Sequence, residues 1–232
     1  MREALEEINA RVVGCTRCPE LRKYCRHIGV EKKRAYRDWS YWARPVPSFG
    51  DPRARVMLVG LAPGAHGSNR TGRMFTGDGS GAFLYPALYR AGFANQPQAF
   101  HRQDGLALND CIITAALRCA PPGNKPTPRE LRNCFPYLRE ELAALEKLRV
   151  IVALGSIALK TTTVLLKDAG YAFERRQAAF GHAAEFIAAR GARHITVISS
   201  FHPSQQNTNT GKLTEAMFEG IFNRVRAVID QA

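Results

Sequence analysis

Acidic residues are in short supply in this chain, twenty Asp and Glu against thirty-three Lys and Arg, for a net charge of +13. That balance disfavours a cationic partner and points to a polyanion such as nucleic acid. Long apolar runs are absent, so no stretch approaches the ~20 residues needed to cross a bilayer. The opening MREALEEINARVV is amphipathic, with Glu near its start, and lacks the apolar centre of a secretion signal. A cytoplasmic, nucleoid-associated protein is expected, and in that compartment six cysteines are better explained by metal binding or reactivity than by disulfides. The glycine-rich loop lacks a Gly-Lys-Ser/Thr ending, which weighs against a phosphate-binding NTPase. Internal repeats and low-complexity segments are also missing. With 232 residues and 45% hydrophobic content, a single domain over 1–232 with an N-terminal cysteine-bearing segment is expected.

What is present centres on residues 53–83, where Val56, Met57, Leu58 and Val59 form a short β-prone run that empties into a loop rich in glycine. Such a run reads as a strand buried on both faces. In open parallel α/β sheets ligands bind beyond the carboxyl ends of strands, which places a candidate site in this loop. Met74, Phe75, Phe83 and Leu84 are denser in apolar character than a disordered linker, so the loop is expected to pack.

Further along, residues 106–116, 150–154 and 194–199 read as three more strands, alternating with helical patterns at 79–92, from Thr127 onward, after Ser156, and at 212–229. Thr127-Pro128-Arg129-Glu130 is a capping box with Pro at the first helical position. Residues 20–54, with Trp39, Trp42, Pro45 and Pro47, read as an irregular loop over the core, and 168–193 have no clear pattern. The expected fold is α/β: a central, mostly parallel four-stranded sheet flanked by helices on both faces.

Cys15 and Cys18 form a C-x-x-C pair, and Cys119 and Cys134 a distant second pair. Four thiolates can hold one metal group, although zinc ribbons use two short knuckles that this chain lacks. The spacing leaves the metal open. Cys25 can replace one member, and Cys111 reads as a core thiol.

Gly60-Leu-Ala-Pro-Gly64, Met74-Phe-Thr-Gly-Asp78 and Phe201-His-Pro-Ser204 together resemble the first motif, the base-stacking segment and the second motif of the uracil-DNA glycosylase superfamily. With the four cysteines, the long stretches from Gly60 to Arg73 and from His202 to Thr208 are similar to family 5, the B-type iron-sulfur enzymes. The resemblance implies an enzyme that initiates base excision repair by flipping out uracil and hydrolysing its N-glycosidic bond. It implies Asp78 and His202 as catalytic residues, Gly60, Ala62, Gly64, Phe75, Asn124 and His202 around the base, and a [4Fe-4S] cluster on Cys15, Cys18, Cys119 and Cys134. Leu61 and Ala115 stand where family 4 has an acid and an Asn; both departures fit family 5 and imply a wider range of deaminated bases, including hypoxanthine. Arg70, Arg73, Ser204, Gln205, Asn207 and Lys212 are the expected DNA contacts, on double-stranded DNA in the first place and single-stranded DNA in the second, by a monomer without a membrane partner.

The chemistry agrees with that assignment. Breaking an N-glycosidic bond builds positive charge on the sugar and negative charge on the base, so a carboxylate or oriented water and a hydrogen-bond donor are needed. Competing roles are an N-cap for Asp78, a turn-stiffening imidazole for His202 and a core ring for Phe75. An iron-sulfur nucleic-acid-binding protein without glycosylase activity is the alternative.

Overall fold

The computed structural model describes residues 2–231. In chain order the first half contains α1 (Arg2–Val13), α2 (Pro19–Glu31), β1 (Phe49–Gly50), β2 (Val56–Gly60), α3 (Ser68–Thr71), α4 (Gly79–Arg90) and β3 (Cys111–Ala115). The second half contains α5 (Pro128–Ala144), β4 (Val150–Leu154), α6 (Ser156–Asp168), β5 (Glu185–Arg190), β6 (Arg193–Ser200), α7 (Gln205–Asn209) and α8 (Glu215–Asp230). Single 3-10 turns occur at Arg34–Tyr36 and Pro122–Asn124.

The strands lie in the order β1-β3-β2-β4-β6-β5. The inner four are parallel, with Leu58 opposite Ile113 on one side and Val152 on the other, and Val152 opposite Ile198. These are the four expected strands. The sheet is nevertheless six-stranded, because β1 and β5 pair antiparallel at its two edges. Both escape a reading by apolar runs. β1 has two residues, and β5 turns only Phe186 and Ala188 fully inward while Glu185 and Ile187 face out.

The period of two in the inner strands sorts their side chains between two cores. Met57, Val59, Ile151, Ala153 and Val197 pack beneath α1, α2, α5 and α6; Val56, Leu58, Val150, Val152 and Ile198 pack beneath α4 and α8. Full burial of each such Val, Leu, Ile or Met side chain stabilises the fold by roughly 1.5–3 kcal/mol.

Two expectations need correction here. Residues 20–54 begin with a 13-residue helix rather than an irregular loop: Pro19 opens α2, and Leu21 and Cys25, one turn apart, are its buried face. The strand expected over 106–116 is confined to Cys111–Ala115, since Leu106 and Leu108 are buried from the preceding loop. By contrast, Thr127 and Glu130 form the expected reciprocal capping box. No helix among the described residues is long and apolar enough to cross a membrane.

Candidate active site

From β2 the chain runs to β3 on one side of the sheet, whereas β4 and β6 build out on the other. The crevice at their carboxyl ends is therefore a topological switch point, where open α/β sheets bind ligands. Three segments meet there: the loop after β2, the turn after β4 at Gly155, and residues 201–204 after β6. His202 sits beside Gly155, its Cβ 3.5 Å from where a Gly155 side chain would begin.

Asp78 is the N-cap of α4, and its Oδ1 accepts a hydrogen bond from the Gly81 amide at 3.0 Å. The other side of the carboxylate lies against the first motif. A Cβ on Gly64 would stand 3.1 Å from Asp78 Oδ2, and one on Gly67 would overlap the carboxylate group. Glycine at 67 is thus a steric requirement for this position of the acid. Burial raises the Asp78 pKa above the ordinary carboxylate range, opposed by the amides of Gly81 and Ser80 and by the Arg70 charge. The helix N-terminus also favours the ionised form. The N-cap role and placement at the crevice coexist in one side chain.

Phe75 and His202 form a stacked pair, ring centroids 5.8 Å apart and planes at 30°. The far edge of the Phe75 ring would lie 3.0 Å from a Cβ on Gly60, so the absence of a side chain at 60 admits the ring. Phe75 adopts φ of 52°, a left-handed conformation uncommon for a bulky residue, and its carbonyl presses on Gly81 where a Cβ would clash. Tyr85 donates to the Met74 carbonyl at 2.7 Å from α4. Strain at Phe75 is held by this closely packed segment. Burial depresses the His202 pKa to about 4, leaving the ring neutral at pH 7 with one N–H to donate.

Other expected site residues are placed differently. Arg70 is 3% exposed: it lies 3.9 Å from the Tyr36 ring centre and 4.1 Å from that of Trp39, and donates to the carbonyls of His66 and Gly77. Arg73 is equally buried and makes a bidentate pair with Asp104 at 2.7 Å. Neither can track a DNA backbone as expected; loop folding turns both guanidiniums inward to satisfy carbonyls and an acid. Asn124 is exposed at φ of 57° on its 3-10 turn and takes part in neither the Gly81–Asp78 nor the Asn207–His202 hydrogen bond. Ala62 and Gly64 are half-buried beside the crevice.

The run after His202 is more ordered than its polarity suggests. Ser204 caps α7 by accepting from the Asn207 amide, and Asn207 Nδ2 donates to the His202 carbonyl at 2.8 Å. Asn207 thereby fixes the backbone that carries His202. Gln205 is exposed, with its side chain against Gly79, and joins this run to the start of α4. Lys212 is exposed, its ammonium 5.0 Å from the Phe201 ring centre. Beneath Phe201 lies His182, stacked at 5.2 Å, a support that the unpatterned 168–193 stretch concealed.

Cys15, Cys18, Cys119 and Cys134 line one cavity between the α1–α2 loop, α2, the segment after β3 and α5, together with Arg17, Arg22 and Arg118. The Arg118 amide donates to Cys134 Sγ at 3.3 Å and Asn133 Nδ2 to Cys18 Sγ at 3.4 Å. As placed, no three metal-ligating side chains among the described residues close on a single ion. Four thiols in a shared cavity, with N–H donors directed at two of them, form a donor set that a thiolate-bound metal group could use.

A model of the Uracil DNA glycosylase superfamily matches residues 47–226. The chain is 50% identical over 207 residues to the Type-5 uracil-DNA glycosylase of Thermus thermophilus, covering 89% of this chain and 90% of that protein. Identity to the Type-5 uracil-DNA glycosylase of Pyrobaculum aerophilum is 47% over 217 residues, 94% of this chain and 90% of the other. The Type-4 uracil-DNA glycosylase of the same organism is 32% identical over 163 residues, 70% and 66% of the two chains. With the crevice, its acid and its stacked pair at the positions of the matching motifs, the chain belongs to the uracil-DNA glycosylase superfamily, in its type-5 branch.

Proposed function

We propose that this chain excises uracil from DNA, and other deaminated bases such as hypoxanthine, by hydrolysing the N-glycosidic bond. The observation that carries the proposal is the Asp78 carboxylate fitted over Gly64 and Gly67 at the same carboxyl end of the inner strands as the Phe75–His202 pair. The target nucleotide must leave the stack to reach this crevice. There the glycosidic bond breaks, the electron pair departs with the base, and positive charge accumulates on the sugar. Asp78 stabilises that charge and orients the water whose oxygen bonds to the sugar carbon; the water's proton is passed on, ultimately to the departed base. His202, neutral, donates to the base oxygen that gains negative charge. Leu61 and Ala115 present no acid or amide to the base edge, which supports a wider base range.

Cys15, Cys18, Cys119 and Cys134 are the residues that would hold a [4Fe-4S] cluster. Such a group, when bound, supplies a cross-link between the N-terminal segment and α5 rather than a step of the reaction. Double-stranded DNA is the substrate, with Ser204, Gln205 and Lys212 on its side of the crevice, and the active unit is the monomer.

The test is single-turnover base release from duplexes containing uracil or hypoxanthine, using wild type and Asp78→Asn. Release of both bases, with a loss of about 10²–10⁴-fold in the variant, supports the reading. No release from either duplex by wild type, with duplex binding retained, would replace it with a nonenzymatic binder.

A further inference from the structure

Arg118 closes β3's exit toward Cys119 and is 1% exposed, the largest fully buried side chain of the described residues. Its Nη2 pairs with Glu141 of α5 at 2.5 Å, and Glu141 in turn accepts from Thr114 Oγ1 at 2.7 Å. The pair is incompletely satisfied. Arg118 Nε and Nη1 and Glu141 Oε1 are all buried without a hydrogen-bond partner. An arginine cannot shed its proton to escape this, and removing two charges from water costs several kcal/mol per ion unless the remaining sites are met. Arg118 also lines the cavity of the four cysteines, and its backbone amide donates to Cys134 Sγ at 3.3 Å.

The geometry points to Arg118 as the buried countercharge of the cysteine-bound group, its unpaired N–H groups serving sulfur acceptors of an anionic iron-sulfur cluster. This rests on the cluster reading above. It explains why a charge is kept where a hydrophobic side chain of equal volume would ordinarily be as stable. Glu141 holds the guanidinium plane, so Arg118 is a positioning and charge-balancing residue that touches neither base nor sugar. Hydrogen bonds to cluster sulfurs and nearby charge set both retention and potential, and a cation favours the reduced, more negative state.

The test compares wild type with Arg118→Met/Glu141→Leu, which removes the pair without stranding a charge, and with Arg118→Lys, which keeps the charge but loses the planar fork. Iron and acid-labile sulfide per chain, the rate of iron release to a chelator, and the reduction potential are measured on the purified holoprotein. The expected result is a folded double variant that releases iron at least about tenfold faster, at a more negative potential, with Arg118→Lys releasing iron at an intermediate rate. Wild type without iron overturns the cluster reading itself. Wild type with iron, and a folded double variant that matches it in release and potential, overturns the role of Arg118 alone. Should the double variant fail to fold, release from Arg118→Lys at the wild-type rate overturns it equally.

Discussion

Replacing Gly67 by Ala adds one methyl group to the molecule at a point that has no room for it. The new Cβ would overlap the Asp78 carboxylate, 2.6 Å from its Cγ and 2.9 Å from its Cβ. Ordinary carbon contacts begin near 3.5 Å, so the side chain of Asp78 must move by roughly 1 Å. Because Oδ1 is also the cap of α4, held by the Gly81 amide, the movement stretches that bond and destabilises the fold by about 1 kcal/mol. Displacement of a reacting group by 1 Å costs about 10²-fold in rate. Gly67→Ala should therefore fold, with a melting temperature a few degrees lower, and release uracil about 10²-fold more slowly in single turnover at saturating enzyme. A rate within threefold of wild type, in a protein where Asp78→Asn shows its expected loss of about 10²–10⁴-fold, would refute the claim that the glycine turn positions the acid.

Burial holds the His202 pKa near 4 from an ordinary 6.5, so the folded chain resists a proton that the unfolded chain accepts. Stability rises with pH across that window and is lost on acidification from about 6.5 to 4, by about 3 kcal/mol for this group; urea unfolding of His202→Gln should lack that part of the pH slope. Arg73→Ala removes the cation from Asp104, whose carboxylate keeps only the Phe100, His101 and Leu106 amides, and destabilises the fold by about 3 kcal/mol, while the salt dependence of DNA binding stays as in wild type; a reduced salt slope would restore Arg73 as a phosphate contact. Lys212→Gln, in contrast, should lower the slope of log K against log salt by up to about 1 with little change in melting temperature.

Much of the site was legible because its signals are local. Val56–Val59 is a buried strand by composition, Thr127–Glu130 a cap by spacing, and Asp78 the residue before a helix opening on small side chains. The four inner strands could be read for the same reason. What escaped depends on partners remote in sequence. Arg70 and Arg73 look like phosphate contacts until Tyr36, Trp39 and Asp104 fold around them, and a basic side chain carries no mark of its eventual burial. Asn207 reads as one more polar loop residue, although its amide spans five positions back to the His202 carbonyl. Edge strands β1 and β5 form because an inner strand offers them a free side, a property of β3 and β6 rather than of their own residues.

The strained, closely packed stretch from Met74 to Gly81 has a kinetic consequence. Phe75 is held in an unfavourable conformation by contacts that close before any substrate arrives, so this wall has little room to reshape itself around a base. A receptacle of that form is suited to nucleotides that have already swung out of the stack. Selection then begins in the DNA, with how often each pair opens. Uracil opposite guanine, whose mispair opens at lower cost than a matched pair, should be removed faster than uracil opposite adenine, with the two rates converging in single-stranded DNA.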